Sequence, residues 1–137
     1  MSRRGPALAF NAVVGLIGVL AVLSGLYVVG FGGGAIPGGD AVAPSVDSEL
    51  RLLAVFWIGF GLVAIRAAPH AATETRTVRA LALALFAGGA ARVVSWVAVG
   101  RPAGGVVVLT ALELAGPPAL VLWQRVLAGD AGAAPKR

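Results

Sequence analysis

The sequence contains no cysteine, and its only histidine is His70. Without cysteine the protein has no disulfide bond, no thiolate metal site and no cysteine nucleophile. A lone histidine does not supply the ligand set of a zinc site, so we predict no metal and no cofactor. No set of nucleophile, base and orienting residue can be assembled either. We therefore expect a protein that is not an enzyme. The enzymatic alternative is a membrane-embedded acid–base pair that acts on lipid.

Charged residues are also scarce. They make up 12% of the 137 residues, whereas 58% are hydrophobic. Soluble domains carry about 25% charged residues, and a small soluble domain needs polar side chains to cover its large surface. The net charge of +5 does not indicate nucleic acid binding, because the basic residues flank apolar runs. This arrangement is typical of a membrane protein with anionic headgroups as neighbours.

Four apolar runs are long enough to cross a hydrocarbon core of about 30 Å. They predict helices over residues 7–31, 49–67, 78–100 and 105–125, within a single transmembrane domain that covers residues 1–137. The predicted fold class is all-α, an integral membrane four-helix bundle.

The basic residues predict the orientation of this bundle. Most of them fall on one side of the predicted spans: Arg3, Arg4, Arg66, Arg76, Arg79, Arg125, Lys136 and Arg137. Only Arg51 and Arg101 fall near the other side. We expect both termini to be cytoplasmic, with Asp40, Asp47 and Glu49 facing outward.

Two charged residues interrupt the last two runs, and such intramembrane charges are functional or paired. They are Arg92 and Glu113, and the midpoint between them falls at 102.5, where the turn between the two helices is expected. In an antiparallel hairpin the two side chains then lie at the same depth. Counting from the basic residue at the inner end of each helix places Glu49 and Arg51 at a similar height. All four groups are expected about 18–26 Å above the inner interface.

We therefore predict an intramembrane polar cluster of Glu49, Arg51, Arg92 and Glu113 whose charges cancel. Mutual neutralisation removes most of the cost of burying each charge alone. The cluster is either a structural ion network or a polar pocket that binds a small molecule or headgroup, and the structural interpretation is favoured. Small and polar residues at helical spacing from Arg92 and Glu113 indicate close packing: Gly88, Gly89, Ser95, Thr110 and Gly116, with Pro117 unable to donate to the Glu113 carbonyl.

Three segments carry a family resemblance: "SELRLLAVFWIGFGLVAIRA", "RALALALFAGGAARVVSWVAVGRP" and "ALELAGPPALVLWQR". Over residues 47–125 the chain resembles the bacterial membrane proteins catalogued as domain of unknown function 4345. The matching positions are Glu49, Arg51, Gly59, Gly61, Arg92 and Glu113. The resemblance implies a four-helix membrane fold and no particular activity.

The function predicted from these features is that of an accessory or interaction subunit, or a binding module, of the cell envelope. The expected location is the bacterial cytoplasmic (inner) membrane. The expected partners are membrane lipid together with a larger membrane protein complex or a second copy of the chain, and no nucleic acid. The alternative is a small proton-coupled carrier in which Glu113 binds the proton and Arg92 tunes its affinity.

Overall fold

The structure is a computed structural model, and it describes residues 4–39 and 42–132. Its long helices are α1 (Arg4–Phe31), α2 (Pro44–Ala67), α3 (Thr75–Val99) and α4 (Gly104–Gly132). Single 3₁₀ turns, Gly32–Ala35 and Ala68–His70, follow α1 and α2. Every regular element of the described residues is helical, which confirms the predicted all-α, four-helix fold.

Two helix boundaries differ from the predicted ones by five residues or more. Helix α2 begins at Pro44 rather than near Glu49, because proline suits the first helical turn, where its missing N–H has no helical acceptor. This earlier start brings Asp47 into the helix. Helix α4 continues to Gly132, beyond the predicted end at residue 125, and it runs through both Pro117 and Pro118.

All four long helices have the length and composition of membrane spans, with spans of 25 to 31 residues. Their outer faces carry many large hydrophobic side chains with no protein neighbour. Phe56, Leu83 and Val97, for example, are 69%, 68% and 83% exposed. In water this surface would be an aggregation liability, whereas in a bilayer acyl chains cover it.

Helices α1 and α2 form the first hairpin, and glycine allows their backbones to approach closely. A methyl group on Gly18 would lie 2.7 Å from the Gly61 carbonyl oxygen, and one on Gly61 would lie 2.6 Å from the Gly18 carbonyl oxygen. Farther along, a methyl group on Gly25 would lie 2.6 Å from Ile58 Cγ1. Small residues at helix interfaces provide such contact in lipid, where no hydrophobic effect drives helices together.

Helices α3 and α4 form the second hairpin, and the two hairpins meet at one end of the molecule. We call this the closed end; it contains the start of α1, the α2–α3 connection and the later turns of α4. The core there contains buried Phe10, Val14, Ala64, Ala71 and Val78. The Phe10 ring packs edge-to-face against Trp123, with centroids 5.2 Å apart, and so joins α1 to α4.

The other half of the molecule, which carries the connections within the two hairpins, is the open half. Its buried hydrophobic side chains, among the described residues, are Ala21 and Ala54. Ala21 shares a face of α1 with Gly18 and Gly25, and the Ala54 carbonyl lies against Gly25, so both belong to the first hairpin. An apolar crevice lined by residues of all four helices marks where the hairpins part. Beyond it each helix packs on its own hairpin partner.

Two amide side chains fasten the α2–α3 connection at the closed end. Asn11 donates from Nδ2 to the Pro69 carbonyl (2.8 Å) and accepts at Oδ1 from the Ala72 amide (2.9 Å). Gln124, which is 2% exposed, donates to the Ala71 carbonyl at 2.7 Å. The connection is therefore bonded to both α1 and α4, and it ties the hairpins together.

Replacing Gln124 by Met is expected to loosen this connection, because the buried Ala71 carbonyl loses its donor while the side-chain volume is kept. An unpaired buried acceptor costs about 1–3 kcal/mol. Trypsin cleavage after Arg66 and Arg76 should accelerate relative to the native chain. Arg125→Met, at the exposed neighbouring position, is the control and should leave cleavage at those sites unchanged. Equal rates for Gln124→Met and the native chain would contradict this role.

Candidate functional site

Arg92 and Glu113 form an ion pair within the second hairpin. Arg92 Nε donates to Glu113 Oε2 at 2.8 Å. The two groups lie at one height, as their spacing about the turn predicts. Their exposure is unequal: the Glu113 side chain is 9% exposed and the Arg92 side chain is 42% exposed. The carboxylate is thus enclosed by the hairpin, while the guanidinium reaches its surface.

Close packing of α3 against α4 holds Glu113 in place. Gly89 is buried, and a methyl group there would lie 3.0 Å from Glu113 Cβ and 3.0 Å from Leu114 Cγ. One turn before Glu113, the buried Thr110 hydroxyl donates to the Val106 carbonyl at 2.8 Å. The Thr110 hydroxyl therefore donates its hydrogen bond within α4 and not to Glu113, whose ion-pair partner is Arg92.

The predicted cluster of four groups does not form. Arg51 pairs with Asp47, with Nε 2.8 Å from Oδ2. Glu49 is exposed and makes no ion pair within the described residues. Because α2 starts at Pro44, Asp47 lies four residues before Arg51 and shares its helix face, whereas Glu49 lies two residues away on the opposite side. The open half therefore contains two separate ion pairs among the described residues, one in each hairpin, and Glu49 belongs to neither.

The Asp47–Arg51 pair secures the end of α1. Arg51 Nη1 donates to the carbonyl of Val29 and, at 3.4 Å, to that of Gly30. Asp47 Oδ1 accepts from the Gly33 amide at 2.8 Å. Carbonyl groups in the last turn of a helix lack helical donors, so this pair completes the first hairpin and has a structural role. Asp40, which was also expected to face outward, lies outside the described residues.

The residues predicted to support the cluster behave differently from one another. Gly89 and Thr110 pack at the α3–α4 interface, and Pro117 is buried. Gly88 and Gly116, however, have no heavy atom within 4 Å of where a methyl group would be placed, so neither is a position of close approach. Sequence spacing places a residue on a face but does not give the distance to the neighbouring helix.

Ser95 lines a cleft at the outer end of the second hairpin, beside the ion pair. The walls of this cleft are Arg92, Ser95, Trp96, Gly100, Pro102 and Val106. Gly100 ends α3 with φ of 116°, a conformation that favours glycine, and this turns the chain sharply at the rim. The sequence indicated Arg92 and Ser95, and the structure adds Trp96 to the walls of this cleft.

Several acidic or histidine side chains are needed to hold a metal ion, and the described part of the chain contains no such group of three or more. The chemistry available at the site is that of one neutralised ion pair with hydrogen-bond donors nearby.

Four membrane-length helices with an ion pair inside the second hairpin define a multi-pass membrane protein. Residues 9–124 match the family model described as domain of unknown function (DUF4345), and the chain belongs to that family. No curated protein and no solved structure matches the chain.

Proposed function

We propose that the protein is a non-catalytic interaction subunit and binding module of the bacterial cytoplasmic membrane, with both termini in the cytoplasm. The observation that carries the proposal is the open half. There the two hairpins leave helix faces without a protein neighbour, while the charges inside each hairpin are already paired. A membrane helix of a larger complex, or of a second copy, would pack on these faces.

The exposed side chains of the open half support this role. On α1, Leu23, Leu26 and Tyr27 are 58%, 54% and 53% exposed, although the opposite face of the same turns is packed on α2. Association in lipid relies on van der Waals packing, and these exposed side chains offer apolar surface for it. At the closed end the core residues of the two hairpins already pack on one another.

The proposed orientation is supported by the basic residues at the closed end. Arg66, Arg76, Arg79 and Arg125 all lie on helix ends or turns there, whereas Arg51 and Arg101 belong to the open half. An excess of arginine marks the cytoplasmic side. Arg3, Lys136 and Arg137, which contribute to the same predicted bias, lie outside the described residues.

Site-directed photocrosslinking tests the interaction role. A photoreactive amino acid at Leu26, in the open half, is expected to capture a membrane protein or a second copy of the chain in cells. The same residue at Leu122, which is 60% exposed on α4 near the closed end, is the matched control and should capture lipid alone. If Leu26 gives no protein adduct, and the chain elutes alone from mild detergent, the interaction role is wrong.

The carrier alternative rests on Glu113, a buried acid next to a cleft. Arg92 holds that carboxylate in a salt bridge, whereas proton coupling needs an acid that gains and loses its proton during transport. The expected result is that Glu113→Gln leaves proton-dependent solute fluxes of proteoliposomes unchanged. A flux abolished by Glu113→Gln, with the protein still folded, would establish the carrier instead.

A further inference from the structure

The Arg92 guanidinium is only partly used by the protein. Its Nε donates to Glu113, but within residues 4–39 and 42–132 its two terminal nitrogens have no hydrogen-bond acceptor. The side chain is 42% exposed, and it forms one wall of the cleft at the outer end of the second hairpin. Glu113 therefore fixes the guanidinium through Nε and leaves its terminal nitrogens unused, in a side chain that lines the cleft.

Two more donors line the same cleft. Neither the Ser95 hydroxyl nor the Trp96 indole N–H has an acceptor among the described residues. This differs from the hydroxyls of Ser24 and Thr110, which bond to carbonyls of their own helix, and from Trp57, whose indole donates to Ser24. Three residues of α3 with unused donors, Arg92, Ser95 and Trp96, thus line one cleft.

The height of the cleft matches the headgroup region of a bilayer. Arg92 lies seven residues before the end of α3 at Val99, about 10 Å along the helix axis. Its long side chain covers part of that distance by snorkelling toward the interface. Tryptophan is typical of the same depth, and the rim residues Gly100 and Pro102 belong to the connection outside the helices.

We propose that this cleft binds the phosphate group of a membrane phospholipid from the leaflet at the open half. The terminal guanidinium nitrogens match two phosphate oxygens in the bidentate geometry that arginine provides, and Ser95 and Trp96 add donors. The acyl chains extend from the cleft toward the bilayer midplane, along apolar side chains of α4 such as Leu109 and Leu112, which are 43% and 63% exposed. The inference deepens the proposed binding role by naming its lipid ligand, and it requires no protein partner.

A lipid is favoured over a free phosphate ion by the charge of the site. Glu113 neutralises Arg92, so the pair has little net attraction for a small dianion in water. A phospholipid is held by two contributions: charge-assisted hydrogen bonds to the phosphate, and apolar contact with its chains. The apolar side chains inward of the cleft supply the second contribution and are of no use to a soluble ion.

Native mass spectrometry of the full chain, released from detergent and titrated with phosphatidylglycerol, tests the site. Arg92→Lys keeps the charge facing Glu113 but removes the planar fork, and Trp96→Phe removes one donor without touching the ion pair. Each is expected to weaken phosphatidylglycerol retention, by about tenfold for Arg92→Lys because hydrogen bonds to charged groups are lost. Arg101→Lys and Ser48→Ala, at exposed positions outside the cleft, are the matched controls and should bind like the native chain.

Diacylglycerol and soluble glycerol phosphate complete the experiment. We expect diacylglycerol, which lacks the phosphate, to be retained weakly, and glycerol phosphate, which lacks the chains, not to displace the phospholipid. Equal retention of phosphatidylglycerol and diacylglycerol would overturn the phosphate assignment. Displacement by glycerol phosphate at equal concentration would overturn the lipid assignment. Native-like retention by both Arg92→Lys and Trp96→Phe would overturn the site itself, whatever the photocrosslinking at Leu26 shows about protein partners.

Discussion

Gly61→Ala is expected to destabilise the first hairpin by about 2 kcal/mol or more. The added methyl group would lie 2.6 Å from the Gly18 carbonyl oxygen and 2.9 Å from the Val22 amide nitrogen. These are backbone atoms, which cannot rotate away as a side chain can, so the two helices must separate. Overpacking a fitted interface costs about 1–3 kcal/mol, and the loss of helix contact adds to it.

Gly59→Ala is the matched control, because it makes the same change two residues earlier in α2. A methyl group at Gly59 meets no heavy atom within 4 Å, and alanine is the better helix former by about 1 kcal/mol. Gly59→Ala should therefore be neutral or stabilising. The measurement is thermal unfolding of both variants in one detergent, followed by helical circular dichroism. Equal melting temperatures for the two variants would rule out the close α1–α2 contact.

Removing Arg92 is expected to lower the free energy of unfolding far more than removing Glu113. In Arg92→Met the carboxylate of Glu113, only 9% exposed, is left without its cation. Breaking a buried pair in this way costs about 3–5 kcal/mol. In Glu113→Leu the remaining guanidinium is already 42% exposed and can extend toward headgroups. We therefore expect the free energy of unfolding to fall by only about 1 kcal/mol.

The double variant Arg92→Met/Glu113→Leu completes a mutant cycle. With both charges gone, an apolar pair remains inside the hairpin, and replacing a whole buried pair by packed hydrophobic residues is often neutral. The double variant should be more stable than Arg92→Met alone. Reversible unfolding of the native chain, the two single variants and the double variant in mixed micelles gives the coupling free energy. Strictly additive losses, or a larger loss for Glu113→Leu than for Arg92→Met, would contradict the ion-pair description.

The pairing of Arg92 with Glu113 could be predicted from the sequence because it depends on one quantity, the distance of each residue from the turn. A short connection forces α3 and α4 side by side, so equal distance from the turn implies equal height, and Arg92 meets Glu113. The same argument failed for Glu49 and Arg51. Equal height does not show whether a residue of the first hairpin contacts a residue of the second. Helix α2 also begins at Pro44, which gives Arg51 a nearer partner in Asp47.

The other features that the sequence did not reveal depend on distances between helices. Gly61 was noted for the family resemblance, but its close contact with Gly18 depends on how α1 crosses α2. Gln124, one residue from the basic Arg125 near the end of an apolar run, gives no sign that it is buried and bonded to Ala71. The parting of the two hairpins is likewise invisible, because lipid-facing and partner-facing surfaces in a membrane have the same apolar composition.

Pulsed electron paramagnetic resonance between spin labels tests the two-hairpin arrangement most directly, and the absence of native cysteine makes labelling specific. One label pair, at Leu8 and Val126, spans α1 and α4 at the closed end; a second, at Leu26 and Val108, spans the same helices in the open half. All four positions are at least 54% exposed. We predict a distinctly longer mean distance for the second pair in lipid nanodiscs. Equal distances for the two pairs would show that the helices run side by side throughout, and would contradict the open half on which the proposed interaction role depends.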